Sequence, residues 1–179
     1  GGWDIFNDNC YEAAKHAGVL DDKLLDQIKE ELAAITPMPA VFDRHYVKRL
    51  DGPNVKQGKH KKDLADQVIA DIRAFKAANH CDRMVVVWAG STEIFATEAP
   101  CHKSLAAFEH GLLYIDPAFA SSMIYAYASI SVGLPYSTAS HNLSAAVPVL
   151  PALAARSRSP LCGNPIHPCH TPITPIILT

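Results

Sequence analysis

The run Met84-Val85-Val86-Val87-Trp88-Ala89-Gly90-Ser91-Thr92-Glu93 constrains the fold of this chain more than any other stretch. Its apolar, β-branched half reads as a strand buried on both faces, and its second half empties into small and hydroxylated residues. The segment before it, from about Asp63 to Ala78, has helical periodicity. Leu64, Val68, Ile72 and Phe75 share one face, and Asp66, Asp71, Arg73 and Lys76 turn away from it. A helix followed directly by a buried strand is the order of a parallel α/β sheet. Ligands of such sheets sit beyond the carboxyl ends of the strands. Here Ala89-Gly90-Ser91-Thr92 permits close backbone approach and offers two hydroxyls. The same residues also suit a plain strand-to-helix turn with Ser91 or Thr92 as cap, and both readings stand at this point.

Composition excludes several classes. Apolar residues at 49% and charged ones at 19% belong to a globular chain, and 179 residues suffice for one sizeable core. A net charge of −2 gives no general attraction to nucleic acid or to anionic membranes, so neither is expected as a partner. No apolar run approaches the roughly 20 residues that span a bilayer. The start, Gly1-Gly2-Trp3-Asp4, carries no signal sequence and no initiator Met, so a processed chain or a fragment is expected. Five cysteines at irregular spacing argue for reduced thiols in the cytoplasm rather than a disulfide framework.

Along the chain, Asn9 and Glu12 fit a capping box for a helix over Tyr11–Ala17 that Gly18 stops. Asp21-Asp22 starts a second helix, with Leu24, Leu25, Ile28, Leu32 and Ile35 at helical spacing, and Thr36-Pro37-Met38-Pro39 ends it. Lys48 to Lys62 reads as a solvated basic loop, although its lysines could meet a phosphate. Asn79-His80 caps the Asp63–Ala78 helix. Beyond the strand, Ser104–Glu109 is helical, and Asp116-Pro117 opens a further helix through Ile124, Tyr125, Ala128 and Val132. Tyr125 and Tyr127 read as core and rim. From Pro148 onward prolines recur and charge nearly vanishes, and this tail reads as unstructured. Cys162, His167, Cys169 and His170 match no closed zinc site, so no metal is expected.

Several landmarks then point to one family. Gly1-Gly2-Trp3-Asp4-Ile5, Tyr11-Glu12-Ala13-Ala14-Lys15 and Gly18-Val19-Leu20-Asp21 resemble the middle of myo-inositol-phosphate synthase. Pro37-Met38-Pro39-Ala40-Val41-Phe42-Asp43 resembles its Pro-Leu-Pro-Ser-Ile-Tyr-Asp, and Asp71-Ile72-Arg73-Ala74-Phe75-Lys76 its Asp-Ile-Arg-x-Phe-Lys helix. Val87-Trp88-Ala89-Gly90-Ser91-Thr92-Glu93 resembles its Leu-Trp-Thr-Ala-Asn-Thr-Glu strand end. Leu105-Ala106-Ala107-Phe108-Glu109, Tyr125-Ala126 and Gly133-Leu134-Pro135-Tyr136 continue the match in unbroken order over about residues 1–136.

The resemblance implies an α/β fold: part of a Rossmann-like NAD-binding domain over 1–136, with a parallel sheet, followed by a disordered Pro-rich tail over 137–179. It implies NAD-dependent conversion of glucose 6-phosphate to 1D-myo-inositol 3-phosphate, by oxidation, aldol cyclisation and re-reduction, in a cytoplasmic homo-oligomer that is tetrameric at full length. Cofactor contact is carried over to Asp4, Ala40, Val41, Ala89, Gly90, Ser91 and Thr92. The family's glycine-rich loop would lie upstream of Gly1, and its catalytic lysines fall outside the chain, so no catalytic residue is assigned and the fragment is expected to be inactive alone. Two alternatives are a different NAD-dependent oxidoreductase domain and a noncatalytic α/β interaction module. After Tyr136 the family reads Asn-Gly-Ser-Pro-Gln, where this chain has Ser137-Thr138-Ala139-Ser140-His141-Asn142. Borrowing the last base of each preceding codon can yield Asn from Thr138, Gly from Ala139, Pro from His141 and Gln from Asn142, and a one-nucleotide frame slip after Tyr136 is the hypothesis this suggests. The truncated sheet is expected to leave apolar surface exposed.

Overall fold

The computed structural model describes residues 1–90, 93–114, 117–138 and 145–163. The chain divides into two compact units, one of residues Gly1–Phe42 with Arg49–Lys56, the other of Asp43–Lys48 with Gln57–Thr179.

In the first unit, strand β1 (Trp3–Asp4) leads to helices α1 (Cys10–Ala17), α2 (Asp22–Gln27) and α3 (Lys29–Ala33), and then to strand β2 (Met38–Pro39). β1 and β2 pair in parallel, Trp3 opposite Met38 and Asp4 opposite Pro39. α1 starts as its sequence predicts. The Asn9 side chain accepts from the backbone N–H groups of Tyr11 and Glu12, and the Glu12 carboxylate returns to the Asn9 N–H. Gly18 closes it at φ +62°, a left-handed conformation that glycine adopts without steric cost. The single helix predicted from Asp21 to Ile35 is instead two, broken at Ile28 (φ −119°, ψ 22°). Only Leu25 of the predicted stripe is fully buried, while Leu24, Ile28 and Ile35 stay 41–49% exposed. Little packing therefore holds the segment straight.

The second unit is built around helix α6 (Ser121–Ser131), whose residues 121–130 are all buried. Its sequence, apolar or small and hydroxylated on every side, suits a helix surrounded by others. Helix α4 (Lys61–Ala78) and helix α7 (Val149–Ser157) pack on it, and it covers strands β3 (Val86–Trp88) and β4 (Tyr136–Thr138). Helix α5 (Leu105–Leu113) follows a short 3-10 turn at Pro100–His102 and packs on α4 and α7. The sheet has the order β3-β4-β5 and is parallel throughout, β5 being Leu161–Cys162. Two parallel pairings joined through helices make this the Rossmann-like α/β arrangement that the sequence predicts.

Three expectations need correction. β3 is not buried on both faces: Val85 and Val87 are each 59% exposed, because α6 covers only the face bearing Trp88. α6 begins at Ser121 rather than at Asp116-Pro117, and Asp116 itself lies outside the described residues. Residues 145–163 are not irregular. Pro148 and Pro151 occupy the N-cap and first turn of α7, where a missing N–H costs nothing, and Val147, Leu150 and Ala154 place a buried stripe at i, i+3 and i+7. β4, α7 and β5 form a regular parallel crossover, so a missing structural period in residues 145–163 no longer argues for a frame slip after Tyr136. The tail beyond Gly163, with His167, Cys169 and His170, lies outside the described residues.

Among the described residues Cys10, Cys81, Cys101 and Cys162 carry thiols rather than disulfides. No described helix is long and apolar enough to cross a membrane.

Candidate functional site

Asp4 stands at the carboxyl end of β1, exposed, with its Oδ1 accepting the Phe6 N–H at 3.1 Å in a tight local turn. Asp4 Oδ2 carries no hydrogen bond from any described residue, which leaves it open to a hydroxyl or amino donor. Beside it, the 54–56 segment laces the strand ends together. Asn54 donates from its backbone N–H to the Ile5 carbonyl (2.9 Å) and from Nδ2 to the Asp4 carbonyl (3.0 Å), and its own carbonyl accepts from the Ala40 N–H (2.9 Å). The Lys56 N–H donates to the Ala40 carbonyl at 2.8 Å. Both backbone groups of Ala40 are thus engaged, and Ala40 and Val41 are only 6% and 4% exposed. Both side chains are packed away from solvent and offer no polar group. Asp4 and Ala40 thus share Asn54 as a partner, and Val41 follows Ala40 in the same unit.

Ala89 and Gly90 follow β3 in the second unit and are exposed; Ser91 and Thr92 lie outside the described residues. Gly90 is there because the chain doubles onto Trp88. A Cβ at Gly90 would stand 2.7 Å from the indole ring. The indole in turn lies against Tyr125 of α6, ring centroids 5.4 Å apart, with its Nε1–H buried and unpartnered.

Other groups with chemical potential are committed elsewhere. Lys61 ends the predicted basic loop, yet its side chain is only 11% exposed and donates to the Asp43 carboxylate at 3.2 Å and the Phe119 carbonyl at 2.7 Å. Lys62 pairs with Asp66 at 2.5 Å. His102 is fully buried. Its Nδ1 accepts the Ala99 N–H (3.1 Å), which puts the ring proton on Nε2, facing the Ala118 carbonyl at 3.1 Å. Tyr127, buried against Glu109 with its hydroxyl donating at 2.7 Å, has its phenol pushed well above the usual range, first by loss of solvent and then by that carboxylate. No cluster of three metal-ligating side chains occurs among the described residues.

Sequence reasoning missed Asn54 and the burial of Lys61, since both sit in a stretch whose composition reads as surface. Glu93 was visible only as part of a motif, without a role.

Comparison with known proteins decides the family. The family model described as myo-inositol-1-phosphate synthase, which is that of a NAD-binding domain, matches residues 1–178. The chain belongs to this family. Inositol-3-phosphate synthase 1 of Bacteroides thetaiotaomicron is 44% identical over 165 residues, covering 92% of this chain and 38% of that protein. The rice (Oryza sativa subsp. japonica) inositol-3-phosphate synthase 1 is 31% identical over 168 residues, covering 92% and 33%. The crystal structure of inositol-3-phosphate synthase from Caenorhabditis elegans superposes with a TM-score of 0.85 at 26% identity, over 92% of this chain and 33% of that one. The chain therefore spans about a third of the length of these synthases, and its cofactor is NAD. The family match also runs past Tyr136, beyond the 1–136 span over which the resemblance is legible by eye.

Proposed function

We propose that this chain is part of the cofactor-holding portion of an enzyme that converts glucose 6-phosphate to 1D-myo-inositol 3-phosphate, a cytoplasmic homotetramer at full length. The single observation that carries this reading is the 44% identity to a bacterial inositol-3-phosphate synthase across nearly the whole chain. NAD, when bound, supplies the hydride acceptor for sugar oxidation and the donor for the final reduction.

The chain's own residues contribute binding and orientation. Asp4, held by its own turn, points an open carboxylate oxygen at which a ribose hydroxyl or adenine amino group can donate. Ala40 and Val41 are buried and apolar, so their part is packing rather than hydrogen bonding. Ala89 and Gly90 are exposed beyond the carboxyl end of β3, where ligands of parallel sheets bind, and Ser91 and Thr92 follow them in the sequence with two hydroxyls. The lysine charge needed on a developing enolate is not assigned to any residue of this chain.

Calorimetric titration with NAD tests the cofactor reading. Weak binding is expected, and Asp4→Ala should weaken it about tenfold, the worth of one hydrogen bond to a charged group. An Asp4→Ala chain that binds NAD as the parent does would overturn the role of Asp4. Sequencing the flanking coding DNA tests the larger reading: a glycine-rich dinucleotide loop upstream and a lysine cluster downstream are expected, and the lack of either in the intact gene refutes it.

A further inference from the structure

Helix α4 ends in a cleft. Arg73, Lys76, Ala77, His80, Cys81 and Asp82 line an open hollow of about 450 Å³, within the size range of small-molecule sites. It lies where the chain leaves α4 and turns toward β3, at the opposite end of that strand from Ala89 and Gly90. A ligand here stands apart from one bound beyond the carboxyl end of the sheet. Arg73, Lys76 and His80 follow at i, i+3 and i+7, along one face of the helix and its cap. All three are exposed, and no described residue hydrogen-bonds to or pairs with their side chains. The helix end is also closed off. The Phe75 carbonyl accepts the Asn79 N–H (3.0 Å) and Nδ2 (2.9 Å), the Lys76 carbonyl accepts the Cys81 N–H (3.1 Å), and the Ala77 carbonyl accepts the His80 N–H (3.4 Å). With those carbonyls occupied, the end of α4 repels an anion less than an open helix end does. His80 sits at φ +49°, in the left-handed position that glycine usually fills after a helix, and its ring borders the cleft despite that strain.

We propose that this cleft binds a phosphorylated polyol, a phosphate monoester that carries several hydroxyls. Arg73 and Lys76 take the phosphate, the guanidinium through paired N–H donors and the ammonium as a point charge, and His80 adds a ring N–H. Asp82 sets the rest of the ligand. Its carboxylate in the same hollow repels a bare anion and accepts hydrogen bonds from hydroxyls, so it favours a ligand whose body is rich in donors. Ala77 and the half-buried Cys81 complete the wall. None of the residues assigned to NAD takes part, so the site stands independently of the cofactor reading.

Amide NMR of the nitrogen-labelled 179-residue chain, titrated in turn with glucose 6-phosphate, inorganic phosphate and glucose, tests the proposal. Glucose 6-phosphate should shift the amides of residues 73–82 saturably. Inorganic phosphate should shift the same amides with about tenfold weaker affinity, and glucose should leave them in place. Arg73→Ala combined with Lys76→Ala should weaken glucose 6-phosphate binding by about tenfold or more. Asp82→Asn should bring the affinities for glucose 6-phosphate and inorganic phosphate to within about threefold of each other. All three positions are exposed, so the α6 amides should stay where they are in the parent and report an intact fold. No saturable shift at 73–82, or an unchanged affinity in the Arg73→Ala, Lys76→Ala chain, overturns the site. Shifts only around Ala89 and Gly90 put the ligand at the other end of β3 and overturn it too. Equal affinity of the parent for phosphate and glucose 6-phosphate overturns the polyol class.

Discussion

Leu150 in α7 decides between two pictures of the carboxyl-terminal region. It is fully buried in a helix that packs on α6 and α5. Leu150→Ala removes about three carbons from that contact, and at about 0.8 kcal/mol per buried CH2 the transfer loss is about 2.4 kcal/mol. A residual cavity brings the expected cost to about 3–4 kcal/mol. For a chain of this size each kcal/mol lowers the midpoint by about 2–4 °C, so thermal unfolding followed by circular dichroism should shift down by about 6–16 °C. Ala152, exposed on the same helix, is the control: Ala152→Ser should stay within about 0.5 kcal/mol of the parent. A tail without structure predicts no difference between the two variants. A Leu150→Ala midpoint within about 1 °C of the parent would refute the packing of α7 and return residues 145–163 to the irregular tail that their prolines suggest.

Other consequences follow from single groups. Lys61→Met should cost about 1.5–3 kcal/mol in urea unfolding, because Asp43 and the Phe119 carbonyl lose a charged donor in a mostly buried position, and adding Asp43→Asn should recover part of the loss. Asp63 accepts the Lys59 N–H at 3.0 Å, which holds its carboxyl below the usual 3.8. Its folded-state value is the lower one, so its stabilisation is complete above the unfolded value and is lost as pH falls through the folded one; Asp63→Asn should flatten the α4 melting profile in that acid window. Tyr127 should stay protonated through the ordinary tyrosine range in the native chain, so Tyr127→Phe should leave the native phenolate absorbance rise near pH 10 unchanged; a smaller rise would contradict its burial against Glu109. Gly90→Val should displace the Trp88 ring, read as a shift of its fluorescence in a Trp3→Phe background.

Local signals were fully legible from sequence. The Asn9–Glu12 capping box, the left-handed Gly18 and the stripe of α4 depend on neighbours within a turn, and the order helix-strand-helix with a small-residue strand end pointed to a parallel α/β sheet. The family landmarks were legible for the same reason: they are runs of residues.

Burial was not legible, because it depends on what lies across space. Three valines in a row look two-sided, yet only the packing of one helix decides that Val85 and Val87 face outward. Pro148 and Pro151 look like breakers until the helix start is located, after which they fall where no N–H is needed. Lys61 looks solvated until Asp43 and Phe119 arrive beside it, and Glu93 looks like one more acidic residue until Ser122, distant in the chain, takes both of its oxygens. Covalent neighbours set conformation over a few bonds, whereas the energy of a buried charge or apolar face is set by partners that only the folded chain brings near.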